Sequence, residues 1–159
     1  MGHYDEEQDM SLTVLDRLLE WNRPGRGIGN RARGAPIESL MRDLQILLNT
    51  RREEILISPE FEECKSSILC FGVPDLTQCG SLLTNTEQRR VCNWLEDAIR
   101  LFEPRLRNVS VHLLPADDQK TTLRFRLEAK AELASGRIAF DMGLKKDTGE
   151  FTVSPGGEA

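Results

Sequence analysis

Histidine is nearly missing from this 159-residue sequence, with His3 and His112 its only two. That scarcity excludes a histidine-built metal centre and leaves nucleophilic catalysis without its usual base. Cysteine is sparse as well. Cys64, Cys70, Cys79 and Cys92 show no CxxC-type spacing, so they read as ordinary thiols in a reducing compartment. Aromatic residues amount to 6%, and beyond phenylalanine only Trp21, Trp94 and Tyr4 could stack on a sugar. An excess of cations is lacking too. The 21 Lys+Arg against 26 Asp+Glu leave a net charge of −5 and a pI near 5.2, which disfavours a dedicated nucleic-acid binder. No apolar run approaches the roughly 20 residues of a membrane span, so no direct membrane insertion is expected. The acidic start lacks the basic-then-apolar order of a signal peptide, and the chain is expected to be cytoplasmic.

What is present falls into three parts. Residues 1–35 hold an acidic arm with Asp5, Glu6, Glu7 and Asp9, a short helical pattern in "SLTVLDRLLEW", and an Arg/Gly-rich linker, "NRPGRGIGNRARGAP". Within that linker "GRGIGN" has the look of a phosphate loop, but no strand precedes it and no Lys-Ser/Thr follows. Residues 36–154 form the expected domain, and 155–159 a flexible tail. Pro36 suits the first turn of a helix running to about Arg52, with Ile37, Leu40, Met41, Leu44, Leu47 and Leu48 at helical spacing. A short helical piece is expected at Glu60–Lys65, followed by a loop sending Ile68, Leu69 and Phe71 into the core. A second strong helix has Val91, Trp94, Leu95, Ala98, Ile99 and Phe102 on one face, opens at Asn85 with Gln88 as a variant capping box, and stops before Pro104.

After Pro104 the apolar period changes from 3.6 to 2. Val109, Val111 and Leu113, then Leu123, Phe125 and Leu127, then Ile138, Phe140 and Met142, then Phe151 and Val153 alternate with polar or small residues. The expected fold is α+β in two layers, with about three N-terminal helices packed on a four-stranded antiparallel sheet.

Chemistry is harder to find. Glu96, Asp97 and Glu103 are the nearest approach to a paired-carboxylate site, yet they border Arg89 and Arg100 and read as solvated. No catalytic residue is therefore assigned. Glu103, Pro104 and Arg105 stand out instead, because an extended Pro104 turns the acid and the arginine to the same side. Such a pair is either an exposed ion pair worth about 0 to 1 kcal/mol or a docking point for a partner.

The segments "VLDRLLE", "IESLMRDLQILLNTR", "SSILCFGVPDL", "FEPRL" and "IAFDMGLKKDTGEFTV" carry a resemblance from about Leu12 to Val153. The sequence resembles the TssE family, the small wedge subunits of the type VI secretion baseplate, which is similar to the lysozyme-like wedge proteins of contractile-phage baseplates. "FEPRL" is the most specific of these stretches. The resemblance implies a non-enzymatic role, with Glu103, Pro104 and Arg105 as partner-binding residues in the core bundle. It implies as partners the larger wedge subunits TssF, TssG and TssK and the sheath subunits TssB and TssC, on the cytoplasmic side of an inner-membrane-anchored complex. The small sheet would join that bundle to the first sheath ring by strand addition. No metal, cofactor, nucleic acid or small-molecule substrate is implied. The alternative, carried by the family's historical label, is a peptidoglycan hydrolase.

Overall fold

The computed structural model describes residues 35–157 except 54, 56, 59, 77–83, 116–121 and 132–135. The acidic arm, the helix expected in "SLTVLDRLLEW", the Arg/Gly-rich linker and Cys79 lie outside the described residues. Two α-helices are present among those described, α1 (Ala35–Asn49) and α2 (Asn85–Phe102), with 3-10 turns at Glu62–Ser66 and Ile68–Cys70 between them. The four strands follow as a meander in the order β1 (Leu106–Leu113), β2 (Thr122–Ala131), β3 (Arg137–Lys145), β4 (Phe151–Pro155), every neighbouring pair antiparallel. The α+β class stands, and among the described residues two α-helices, rather than about three, pack on the sheet.

Each helix is defined by its ends. α2 opens one residue earlier than expected, because Thr84 is already extended and its hydroxyl accepts from the Glu87 N–H at 3.2 Å. The Glu87 carboxylate accepts in turn from the Thr84 N–H at 3.2 Å, so the capping box is Thr84 with Glu87. α1 stops at Asn49 rather than Arg52, because the chain turns to pair with the loop. The Val73 N–H donates to the Thr50 carbonyl at 2.9 Å, and the Arg52 N–H to the Val73 carbonyl at 2.8 Å. Gly72 makes this crossing possible. Its φ is +108°, and a Cβ there would sit 2.2 Å from the Thr50 carbonyl oxygen.

The core lies between the helices and one face of the sheet. Leu40, Leu44, Leu47 and Leu48 of α1 and Val91, Leu95, Ala98 and Ile99 of α2 pack with Phe125, Leu127, Phe140, Met142 and Phe151. Burying each of these large side chains contributes about 1.5 to 3 kcal/mol. Register keeps the inward set aligned, with Val111 opposite Leu127 and Leu127 opposite Phe140. The outer face is polar, and Arg126 meets Asp141 across β2 and β3 at 3.1 Å. β1 carries one irregularity. A bulge between Arg107 and Ser110 has Asn108 at φ 53°, a left-handed conformation that asparagine tolerates better than most residues. The extra residue lets both Leu106 and Val109 face the core.

The loop expectation is corrected. Ile68 is 87% exposed and Leu69 is also exposed, while Val73 and Leu76 are buried in their place. Phe71 is half-buried, edge-on to Phe102 with ring centres 5.2 Å apart. Two residues expected in the tail are joined to the sheet. Pro155 closes β4, and the Gly156 N–H donates to the Ala139 carbonyl at 2.8 Å.

Candidate functional site

The corner between α2 and β1 is a turn, not the extended segment the sequence suggested. The Leu106 N–H donates to the Glu103 carbonyl at 3.0 Å, which places Pro104 second in a β-turn, where its fixed φ is favoured. The turn still brings acid and arginine together. Arg105 Nε donates to Glu103 Oε1 at 2.7 Å and Nη2 to Oε2 at 2.6 Å, a two-pronged pair. The Arg105 backbone N–H adds a bond to Oε1 at 3.2 Å.

The pair is not an exposed one. Glu103 is 4% exposed and the Arg105 side chain 22%, so the reading of a weak surface ion pair is overturned. Arg105 also reaches α1, where Nη2 donates to Asp43 Oδ2 at 2.7 Å and Nη1 to Ser39 Oγ at 3.4 Å. Hydrogen bonds to Glu103 are the main reason its pKa is held above the ordinary arginine value, against the downward pull of burial. The guanidinium therefore pins the α2–β1 corner to α1. Pro104 itself is exposed, and Leu101 beside it is 46% exposed.

Asp43 and Ser39 belong to this site, and sequence reading missed both. They lie more than sixty positions from Arg105, and nothing local marks a helical aspartate as the partner of a distant arginine. The three acids weighed as a carboxylate pair do not assemble. Glu96 Oε2 accepts from Arg100 Nη2 at 2.9 Å and Oε1 from the Val111 N–H at 2.9 Å, so it is engaged in the fold and not solvated. Glu103 is taken up by Arg105. His112 lies on the exposed side of β1, and among the described residues no group of three His, Cys, Asp or Glu could hold a metal ion. No helix among the described residues is long and apolar enough to cross a membrane.

No curated protein sequence matches it closely enough to count as a relative. Among solved structures, a proposed tail lysozyme from Geobacter sulfurreducens aligns over 82% of this chain and 99% of its own, at 18% identity and a TM-score of 0.50. A chain of a type VI secretion system baseplate complex aligns over 67% of this chain and 90% of its own, also at 18% identity and a TM-score of 0.50. At that identity both likenesses speak to the fold. The model of the family "Baseplate wedge protein gp25" matches residues 36–134, more than half of the sequence, from α1 through β2. The chain belongs to that family of baseplate wedge proteins.

Proposed function

We propose that this baseplate subunit acts without catalysis, as a joint between the wedge core bundle and the first ring of the contractile sheath. The observation that carries the reading is the corner. Glu103, Arg105, Asp43 and Ser39 form one hydrogen-bonded unit linking α2, β1 and α1, and Pro104 and Leu101 stand exposed on its surface. A rigid corner with an apolar tip and a partly exposed guanidinium suits docking onto larger subunits. TssF, TssG and TssK would engage that corner, and TssB and TssC the sheet, on the cytoplasmic side of the secretion complex.

Because Arg105 is built into the fold, its truncation would disturb stability and docking together. Leu101→Asp changes the exposed tip and leaves the buried pair intact. The test is co-purification of wild type, Leu101→Asp and Arg105→Lys with the larger wedge subunits of the same system, with the thermal midpoint of each isolated variant measured alongside. Recovery of wild type and loss of Leu101→Asp at an unchanged midpoint supports docking at the corner. Equal recovery of all three leaves the corner a purely internal joint. A peptidoglycan hydrolase would instead release fragments from purified peptidoglycan and lose that turnover on Glu103→Gln.

A further inference from the structure

The connection between α1 and α2 carries the three most exposed large apolar side chains among the described residues. Ile68, Phe61 and Leu69 are 87%, 58% and 49% exposed. They stand on a wound backbone, in which the Cys64 N–H donates to the Phe61 carbonyl at 3.1 Å, the Ser67 N–H to the Cys64 carbonyl at 3.2 Å, and the Cys70 N–H to the Ser67 carbonyl at 3.0 Å. At about 2 Å per residue of 3-10 chain, Phe61 and Leu69 lie within about 16 Å of each other.

This connection is mounted at both helices. Phe71 rests edge-on against Phe102 at the end of α2, and Val73 pairs with Thr50 and Arg52 just past the end of α1. There α1 is itself tied down, because the outward-facing Phe151 N–H at the edge of β4 donates to Asn49 Oδ1 at 2.8 Å and Asn49 Nδ2 donates to the Phe151 carbonyl at 3.0 Å. The apolar patch therefore sits on a fixed base, and a patch of this kind marks a docking surface. Its surroundings are acidic. Residues 53–70 hold Glu53, Glu54, Glu60, Glu62 and Glu63 against Lys65 alone, and Lys65 is 4.0 Å from Glu62.

We propose that this patch seats the chain's own N-terminal segment, with residues 11–21 lying on Phe61, Ile68 and Leu69 and the following arginines facing the glutamates. The stripe of Leu12, Leu15, Leu18 and Leu19 supplies the apolar face, and Arg23, Arg26, Arg31 and Arg33 supply the opposite charge. Lengths agree as well. Eleven residues of helix measure about 16 Å, the span of the patch. So short a helix is marginal in water by itself, and this one gains from the patch the burial that it lacks alone. The tether permits the contact, since the linker from Trp21 to Ala35 extends to about 45 Å whereas α1 is about 22 Å long. Nucleic acid, an anionic membrane and the same loop of a second copy are poor occupants, because each would set negative charge against the glutamates.

The experiment follows amide exchange of the full chain at low micromolar concentration. In wild type, residues 12–21 are expected to exchange at least tenfold slower than in a peptide of residues 1–34. Ile68→Asp alters only an exposed side chain and is expected to abolish that protection, while Val91, Leu95 and Ile99 in the core exchange as before. Leu15→Asp is expected to do the same from the other side of the contact. Glu62→Lys combined with Glu63→Lys keeps the apolar contact and is expected to lower protection several-fold at low salt, a difference that 1 M salt removes. Equal protection in wild type and Ile68→Asp, or no protection in wild type, overturns the proposal. Protection that rises with chain concentration replaces the intramolecular contact by one with a second copy. None of these outcomes bears on the corner, which Leu101→Asp tests separately.

Discussion

The β1 edge and the β4 edge face the same hazard and meet it with different helices. On β1, three successive outward residues are met by three residues of α2. Arg100 Nη2 donates to the Val109 carbonyl at 2.7 Å, the Val111 N–H donates to Glu96, and the Leu113 N–H reaches the Cys92 sulfur. The fit follows from dimensions. Four residues of helix rise about 6 Å and two residues of strand about 6.7 Å, so a helix lying along the edge supplies one side chain per outward position. On β4, α1 contributes only its last residue, Asn49, and one position is filled. A helix running beside an edge closes it, whereas a helix that only ends there leaves the edge partly open.

The contrast can be broken most severely through the mount of the β4 plug. Gly72→Ala forces a Cβ onto the Thr50 carbonyl at a positive φ, so the chain directly after Asn49 must shift. A loss of about 3 kcal/mol or more is expected from the strain and the clash combined, read by denaturant unfolding. Glu96→Ala comes next. It removes the acceptor of the Val111 N–H and the partner of Arg100, with an expected loss of about 1 to 2 kcal/mol and faster exchange of the Val111 amide while Phe151 is unaffected. Asn49→Ala reverses that pattern, accelerating Phe151 and sparing Val111, for about 1 kcal/mol. The smallest effect is a rate. Burial, more than the nearby Glu96, raises the Cys92 pKa, against the lowering by the Leu113 N–H. Less thiolate is then present at neutral pH, so alkylation of native Cys92 should be slower than in the unfolded chain and should quicken only at alkaline pH.

Much of this architecture is legible in the sequence because the apolar period reports it. The stripe from Leu40 to Leu48 and that from Val91 to Ile99 mark α1 and α2, and the alternation after Pro104 marks four strands. The edge plugs are not legible. Glu96 and Arg100 four positions apart read as a solvent-exposed helical pair, because nothing in the sequence says that a strand edge runs beneath them. Asn49 falls inside a helix expected to run to about Arg52, with nothing to mark it as the partner of a strand edge. The corner is half legible. Pro104 announces a stop and brackets an acid and an arginine, but the turn that buries Glu103 and the Asp43 that completes the unit arise only when α1 packs across it. Ile68 and Leu69 mislead in the other direction, since apolar residues without a period carry no information about which side faces inward.

Asn108 has one more effect. By absorbing one residue it sets the phase of Leu106, and Leu106 directly follows Arg105. Deleting Asn108 would restore a regular ladder and swing Leu106 outward, taking the aim of the Arg105 guanidinium with it. An alignment of related chains that slides a gap through this point would therefore match side chains pointing in opposite directions, although their letters agree.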